Sequence, residues 1–199
     1  MTRDLILYIH GKDGNAGESE HYRPLFPDCD VKGLDYRTFT PWETGSEIRE
    51  AVEREKRIYE NVALIANSIG AFFSMNAGVG HLLQKAWFIS PIVDMERLIL
   101  NMMMWANVTE EELKAKGRIM TSFGEELSWD YLRYVREHPV SWTVPTKILY
   151  GKNDHLTSKE TMSTFVQTHH ADLTVMEDGE HWFHTEEQMR FLDEWIRHG

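Results

Sequence analysis

Cysteine is almost absent: Cys29 is the only one in 199 residues. No intrachain disulfide is possible, so a fold held by its core in a reducing compartment is expected. Cys29 lies in PDCD between Asp28 and Asp30, acids that raise a thiol pKa, and an inert thiol is expected. Long apolar runs are also missing. Leu5–Ile9 is too short for a signal-peptide core, and no stretch nears the roughly 20 apolar residues of a membrane span, so the expectation is a cytoplasmic protein. Basic charge is scarce: 21 Lys+Arg against 32 Asp+Glu leave a net charge of −11. That balance repels phosphate backbones and anionic lipid and argues against nucleic-acid and membrane-surface partners. The chain also lacks internal repeats, low-complexity tracts, a P-loop and a dinucleotide fingerprint, and no cofactor is expected.

What is present is a core and an alternation. Hydrophobic residues make up 42% of the chain, with seven Trp and nine Phe, which suits one domain over 1–199. Short apolar runs at Leu5–Ile9, Val62–Ala66, Ala86–Ile89, Lys147–Tyr150 and Leu173–Met176, with a weaker one at Asp30–Tyr36, read as strands. Between them, Thr44–Tyr59, Ile69–Val79 and Thr185–Arg197 read as helices. Continuously apolar strands alternating with helices predict an α/β protein: three layers, α/β/α, around a mainly parallel sheet of about six strands. Function is then expected at the carboxyl ends of the strands.

Four strand ends carry chemistry. The first run is followed by His10-Gly11-Lys12-Asp13-Gly14, the third by Asn67-Ser68-Ile69-Gly70, the fifth by Gly151-Lys152-Asn153-Asp154 and the last by Gly179-Glu180-His181. Singly, each has an ordinary reading. Ser68 is a good helix N-cap, Asp154 suits the cap of a helix starting near Thr157, and His181 is one of ten histidines. Ser-x-Gly also recurs at Ser122-Phe123-Gly124, where no preceding strand is predicted. Jointly, Ser, Asp and His at successive strand ends in that chain order are the members of a hydrolytic triad.

On these residues the chain resembles a small member of the α/β-hydrolase superfamily over nearly its whole length. It opens directly on the His-Gly strand, like the minimal, six-stranded end of that superfamily. The elbow pattern Gly-x-Ser-x-Gly reads Ala66-Asn67-Ser68-Ile69-Gly70, departing only by one methyl at the first place. The resemblance implies Ser68 as nucleophile, His181 as base and Asp154 as the acid that orients it. It also implies an oxyanion hole from the backbone N–H groups of Ile69 and Lys12. Asp94, after the fourth strand, is the competing acid, since some members place theirs there. His184 shares the HWFH stretch with His181, but two histidines without further ligands do not make a zinc site, and no metal is expected. His10 is expected to brace the oxyanion turn, and His155 to lie at the surface or rim.

A long segment, about 94–143, separates the fourth and fifth predicted strands. It contains LILNMMMW, Glu110–Lys116 and WDYLRYV, and at this position the superfamily often carries a helical cap. Two readings stand: a cap whose Met and Trp residues touch substrate, or amphipathic helices packed on the sheet. The residues expected to line a substrate pocket are His10, Gly11, His21, Met103, Trp105, Trp129 and Trp182. The activity expected is that of a serine hydrolase of the carboxylesterase type, acting on a small-molecule ester, thioester or amide. A binding protein with little or no turnover and a cofactor-free haloperoxidase or lyase are the alternatives.

Overall fold

The structure is a computed structural model that describes residues 4–198. Asp94–Val140 form one compact unit, and the described residues on either side form another. In chain order the larger unit begins with β1 (Asp4–Ile9), β2 (Cys29–Leu34), α1 (Pro41–Glu55), β3 (Val62–Asn67), α2 (Ile69–Asn76) and β4 (Lys85–Ile89). The smaller unit holds α3 (Met95–Trp105), α4 (Glu110–Lys116), β5 (Arg118–Met120), β6 (Glu126–Ser128) and α5 (Trp129–Glu137). The larger unit resumes with β7 (Thr146–Gly151), α6 (Lys159–His169), β8 (Asp172–Met176) and α7 (Glu186–Arg197).

Six strands of the larger unit form one sheet in the order β2-β1-β3-β4-β7-β8, and every neighbouring pair is parallel. The apolar runs meet in register: Ile6 lies opposite Ala63, Leu64 opposite Ala86 and Phe88 opposite Ile148. Leu5, Leu7 and Ile9 are as buried as Ile6 and Tyr8, so both faces of β1 are covered. That is why the strands read as unbroken apolar runs rather than as alternation. On one face Ile6, Tyr8, Ala63, Ile65, Trp87 and Ile89 join Leu192 and Ile196 of α7 in a single cluster. From β1 the chain goes outward to β2 and then returns to place β3 on the other side. The switch point, where a crevice opens in such sheets, therefore lies between the ends of β1 and β3.

The boundaries moved where caps override periodicity. α1 starts three residues before Thr44, because the Thr40 side chain caps it and Pro41 takes the first turn. α2 stops at Asn76 instead of Val79, just ahead of Gly78 at φ 70°. The smaller unit contains a hairpin the sequence did not announce: β5 and β6 pair antiparallel, with Ile119 opposite Leu127. A strand of only three residues therefore does precede Ser122, contrary to expectation, but a hairpin turn with Gly124 at φ 89° follows it, not a helix. Leu113, Leu127 and Leu132 are the fully buried side chains of this unit. Arg136 bonds both carboxylate oxygens of Glu110 at 2.7 and 2.9 Å and reaches Glu96 at 2.7 Å, tying α3, α4 and α5 together. Among the described residues, no helix is long and apolar enough to cross a membrane.

Candidate active site

Ser68 joins β3 to α2 at φ 52° and ψ −120°. A non-glycine residue held there costs about 1–3 kcal/mol, and only a surrounding that fixes the backbone sustains it. The surrounding does so. Ser68 N–H donates to the Ile89 carbonyl at 2.9 Å, and its own carbonyl accepts from Ile92 and Ala71 at 3.1 and 3.2 Å. Gly70 is needed because a Cβ there would stand 2.4 Å from the His10 carbonyl oxygen and 2.7 Å from that of Ile9. The Ala66 methyl, by contrast, is accommodated in the core. The helix-cap reading of Ser68 fails, since its side chain makes no cap bond to α2. Its Oγ instead lies 2.8 Å from His181 Nε2.

His181 Nδ1 lies 2.7 Å from Asp154 Oδ2. The Asp154 carboxylate is wholly out of solvent, and the imidazole is 14% exposed. Asp154 Oδ1 accepts from the N–H groups of Leu156 and Thr157 at 2.8 and 3.2 Å, so each carboxylate oxygen is matched. The capping expectation for Asp154 is thus met locally, but α6 has its own cap in Ser158. The loops after β7 and β8 are knitted together: Lys152 N–H donates to Met176 O and Asn153 N–H to Gly179 O, both at 2.9 Å. A Cβ on Gly151 would stand 2.4 Å from the Glu180 carbonyl oxygen, so two glycines let these backbones touch and set Asp154 beside His181. Asp94, the competing acid, caps α3 through Arg97 N–H at 2.9 Å. His184 stacks on Trp182 with centroids 4.4 Å apart, and His155 is exposed.

Ile69 opens α2, where the first amides have no intrahelical acceptor. The Gly11 carbonyl is bonded by Gly14 N–H at 3.3 Å and lies 2.7 Å from His10 Nδ1. Because the peptide is trans and planar, this aims the Lys12 N–H the opposite way. His10 is buried, stacked on Tyr36 at 4.0 Å, and its carbonyl accepts from the Tyr36 hydroxyl at 2.7 Å. Burial holds Tyr36 protonated far above its ordinary range, which keeps that donor in place.

A cavity of about 780 Å³ opens on Ser68 and His181, a size suited to a small organic ligand. Gly11, Lys12, His21 and Trp182 line it, whereas His10 braces the turn from behind. Met103, Trp105 and Trp129 belong to the smaller unit. There Met103 is buried, Trp105 meets Phe123 edge to face, and Lys114 lies over Trp129. Sequence reading passed over Tyr8, Glu18, Asn67 and Leu156, which also line the cavity. Asn67 was signalled by its place beside Ser68. Tyr8 was hidden inside an apolar strand and Glu18 in a polar loop. The lining mixes polar side chains, among them Tyr8, Glu18, Asn67 and His21, with apolar ones, among them Ile89, Leu156, Phe183, Met189 and Leu192.

No protein-family model matches the chain, and no curated protein matches it in sequence. Its architecture is well represented among solved structures: the chain has the α/β-hydrolase fold. Est1E from Butyrivibrio proteoclasticus superposes with a TM-score of 0.77 at 16% identity, covering 99% of this chain and 86% of that one. Mouse alpha/beta hydrolase domain-containing protein 10 gives 0.73 at 15% identity, covering 96% and 87%. A monoacylglycerol lipase of Paleococcus ferrophilus gives 0.65 at 14% identity, covering 98% and 94%.

Proposed function

We propose that this protein is a serine hydrolase that cleaves a carboxylic ester or thioester through an acyl-enzyme on Ser68. The reading is carried by one observation, the hydrogen-bonded row from Ser68 Oγ to His181 Nε2 and from His181 Nδ1 to Asp154, at 2.8 and 2.7 Å. A serine hydroxyl needs a base to become nucleophilic. His181 takes the Oγ proton as the oxygen attacks the carbonyl carbon, and Asp154 holds the imidazole in the required tautomer and stabilises the imidazolium. The oxyanion that forms accepts from Ile69 N–H and Lys12 N–H. His181 then gives its proton to the leaving alkoxide or thiolate. Water then attacks the acyl carbon as the same nitrogen takes its proton, and that proton passes to Ser68 Oγ as the acyl bond breaks and the acid leaves.

Strain at Ser68 also supports this reading, since a turn at φ 52° projects the hydroxyl instead of capping a helix. Structures of similar fold are named as a monoacylglycerol lipase, a thioesterase domain and Est1E with bound ferulic acid, which favours acyl transfer from oxygen or sulfur. A fluorophosphonate probe should label Ser68, found by peptide mass spectrometry, and Ser68→Ala should take no label. Absence of labelling and of turnover on activated esters by the folded wild type overturns the reading.

A further inference from the structure

We propose that Glu18 sets substrate choice, and that the cavity takes an ester or thioester bearing an ammonium group, held by the Glu18 carboxylate that lines it. This rests on the hydrolase reading above and narrows it.

Glu18 is half-buried and lines the same cavity as Ser68. Its Oε2 accepts from the Tyr8 hydroxyl at 2.5 Å, and its Oε1 from Asn15 N–H at 3.2 Å. Asn67, next to Ser68, lines the same cavity as Tyr8 and Glu18. An ionised carboxylate offers about four acceptor sites, so after Tyr8 and Asn15 it retains capacity toward the cavity.

The fold does not need the charge. In the capping box formed with Asn15, the third helical position is filled as well by Gln as by Glu; the Gln oxygen keeps the Asn15 bond, and its NH2 donates to the Tyr8 hydroxyl oxygen in place of accepting from it. A purely apolar substrate lying over the carboxylate would strip water from it without replacing that water, which is unfavourable. A cation replaces the lost water with a charge-assisted bond. The carboxylates that line the cavity outnumber its lysines. Asp13 adds a second carboxylate, Lys12 is the one lysine, and His21 is already bonded to Asp193 at 2.7 Å.

The test compares isosteric esters with and without the ammonium group. Nitrophenyl aminohexanoate and heptanoate place it on the acyl side. Aminobutyl and pentyl benzoate place it on the alcohol side. Glu18→Gln should lower the cationic-to-neutral ratio of kcat/KM about 10- to 100-fold on one of the two sides, which identifies the subsite. An equal loss for both members of each pair overturns the proposal and leaves Glu18 a structural residue. A second arm needs no turnover: in Ser68→Ala, hexylammonium should bind more tightly than hexanol by calorimetry, and adding Glu18→Gln should erase the difference. Equal binding of amine and alcohol with Glu18 present also overturns it. Glu18-dependent amine binding in a protein that neither labels nor turns over removes the hydrolase reading and leaves the cation site standing.

Discussion

The turn at Ser68 and the paired loops of Asp154 and His181 meet in one hydrogen-bonded row, but they are built differently. The turn is local. Its residues lie within one stretch of five, from Ala66 to Gly70, with a strained φ that backbone bonds to Ile89 and Ile92 hold in place. The loops are assembled from afar: His181 lies 27 residues from Asp154 and 113 from Ser68. Their meeting depends on Gly151 and Gly179 letting two chain segments touch. A rigid hydroxyl therefore faces a base on a more exposed loop. That division suits chemistry in which the serine must stay put while one imidazole nitrogen takes up a proton and gives it back.

The largest effect should come from cutting the row at either side. Ser68→Ala and His181→Ala should each lower kcat by roughly 10⁴- to 10⁶-fold, and the double variant should be no worse than the singles, since the residues act as a unit. Additive losses on an ester substrate would show that turn and loop work independently. Asp154→Asn is the next cut. The amide keeps an oxygen for Leu156 and Thr157 but turns an N–H₂ toward His181 Nδ1, favouring the wrong tautomer. A loss near 10⁴-fold in kcat is expected, with thermal unfolding little changed.

Two glycine substitutions sharpen the contrast. Gly70→Ala and Gly151→Ala both drive a methyl to 2.4 Å from a carbonyl oxygen. Each should destabilise the protein by about 1–3 kcal/mol in denaturant unfolding. Gly70→Ala should abolish fluorophosphonate labelling, because it displaces the serine turn. Gly151→Ala should slow labelling while leaving the Ser68 turn intact. Identical effects on labelling would erase the distinction between local and assembled parts.

The smallest effect is at the brace. Tyr36→Phe removes the hydroxyl that serves the His10 carbonyl at 2.7 Å, a change of about 1 kcal/mol. Tyr8, Tyr22 and Tyr36 are all pushed above their ordinary pKa of 10.0, chiefly by burial. Above pH 10 the unfolded chain releases these protons while the folded protein retains them. The associated stability is therefore fully present below pH 10 and is lost as pH rises beyond it, at up to about 1.4 kcal/mol per pH unit for each tyrosine. Tyr36→Phe should flatten that alkaline decline, as read from denaturation midpoints at several pH values.

Much of the fold was legible because burial on both faces of a parallel sheet writes itself as short apolar runs. LILYI and AWFI were located to within a residue for that reason. The triad candidates were legible because strand ends are where such sheets present side chains, and Gly70 marked the close approach of helix and strand. Helix ends were less so: the start at Pro41 depended on a side-chain bond from Thr40, which periodicity does not register. The β5–β6 hairpin escaped because three-residue strands are shorter than any usable repeat.

From residue order alone came the parallel sheet, the elbow and the three side chains in the sequence Ser, Asp, His, because hydrophobic spacing and glycine placement are local properties of the chain. Three-dimensional packing set Asp154 against His181, bound His21 to Asp193 across 172 residues, and put Glu18 and Tyr8 in the cavity lining with Ser68. Those pairings join residues whose separation along the chain carries no periodicity. Only the strand order, with its switch between β1 and β3, brings them within hydrogen-bonding distance.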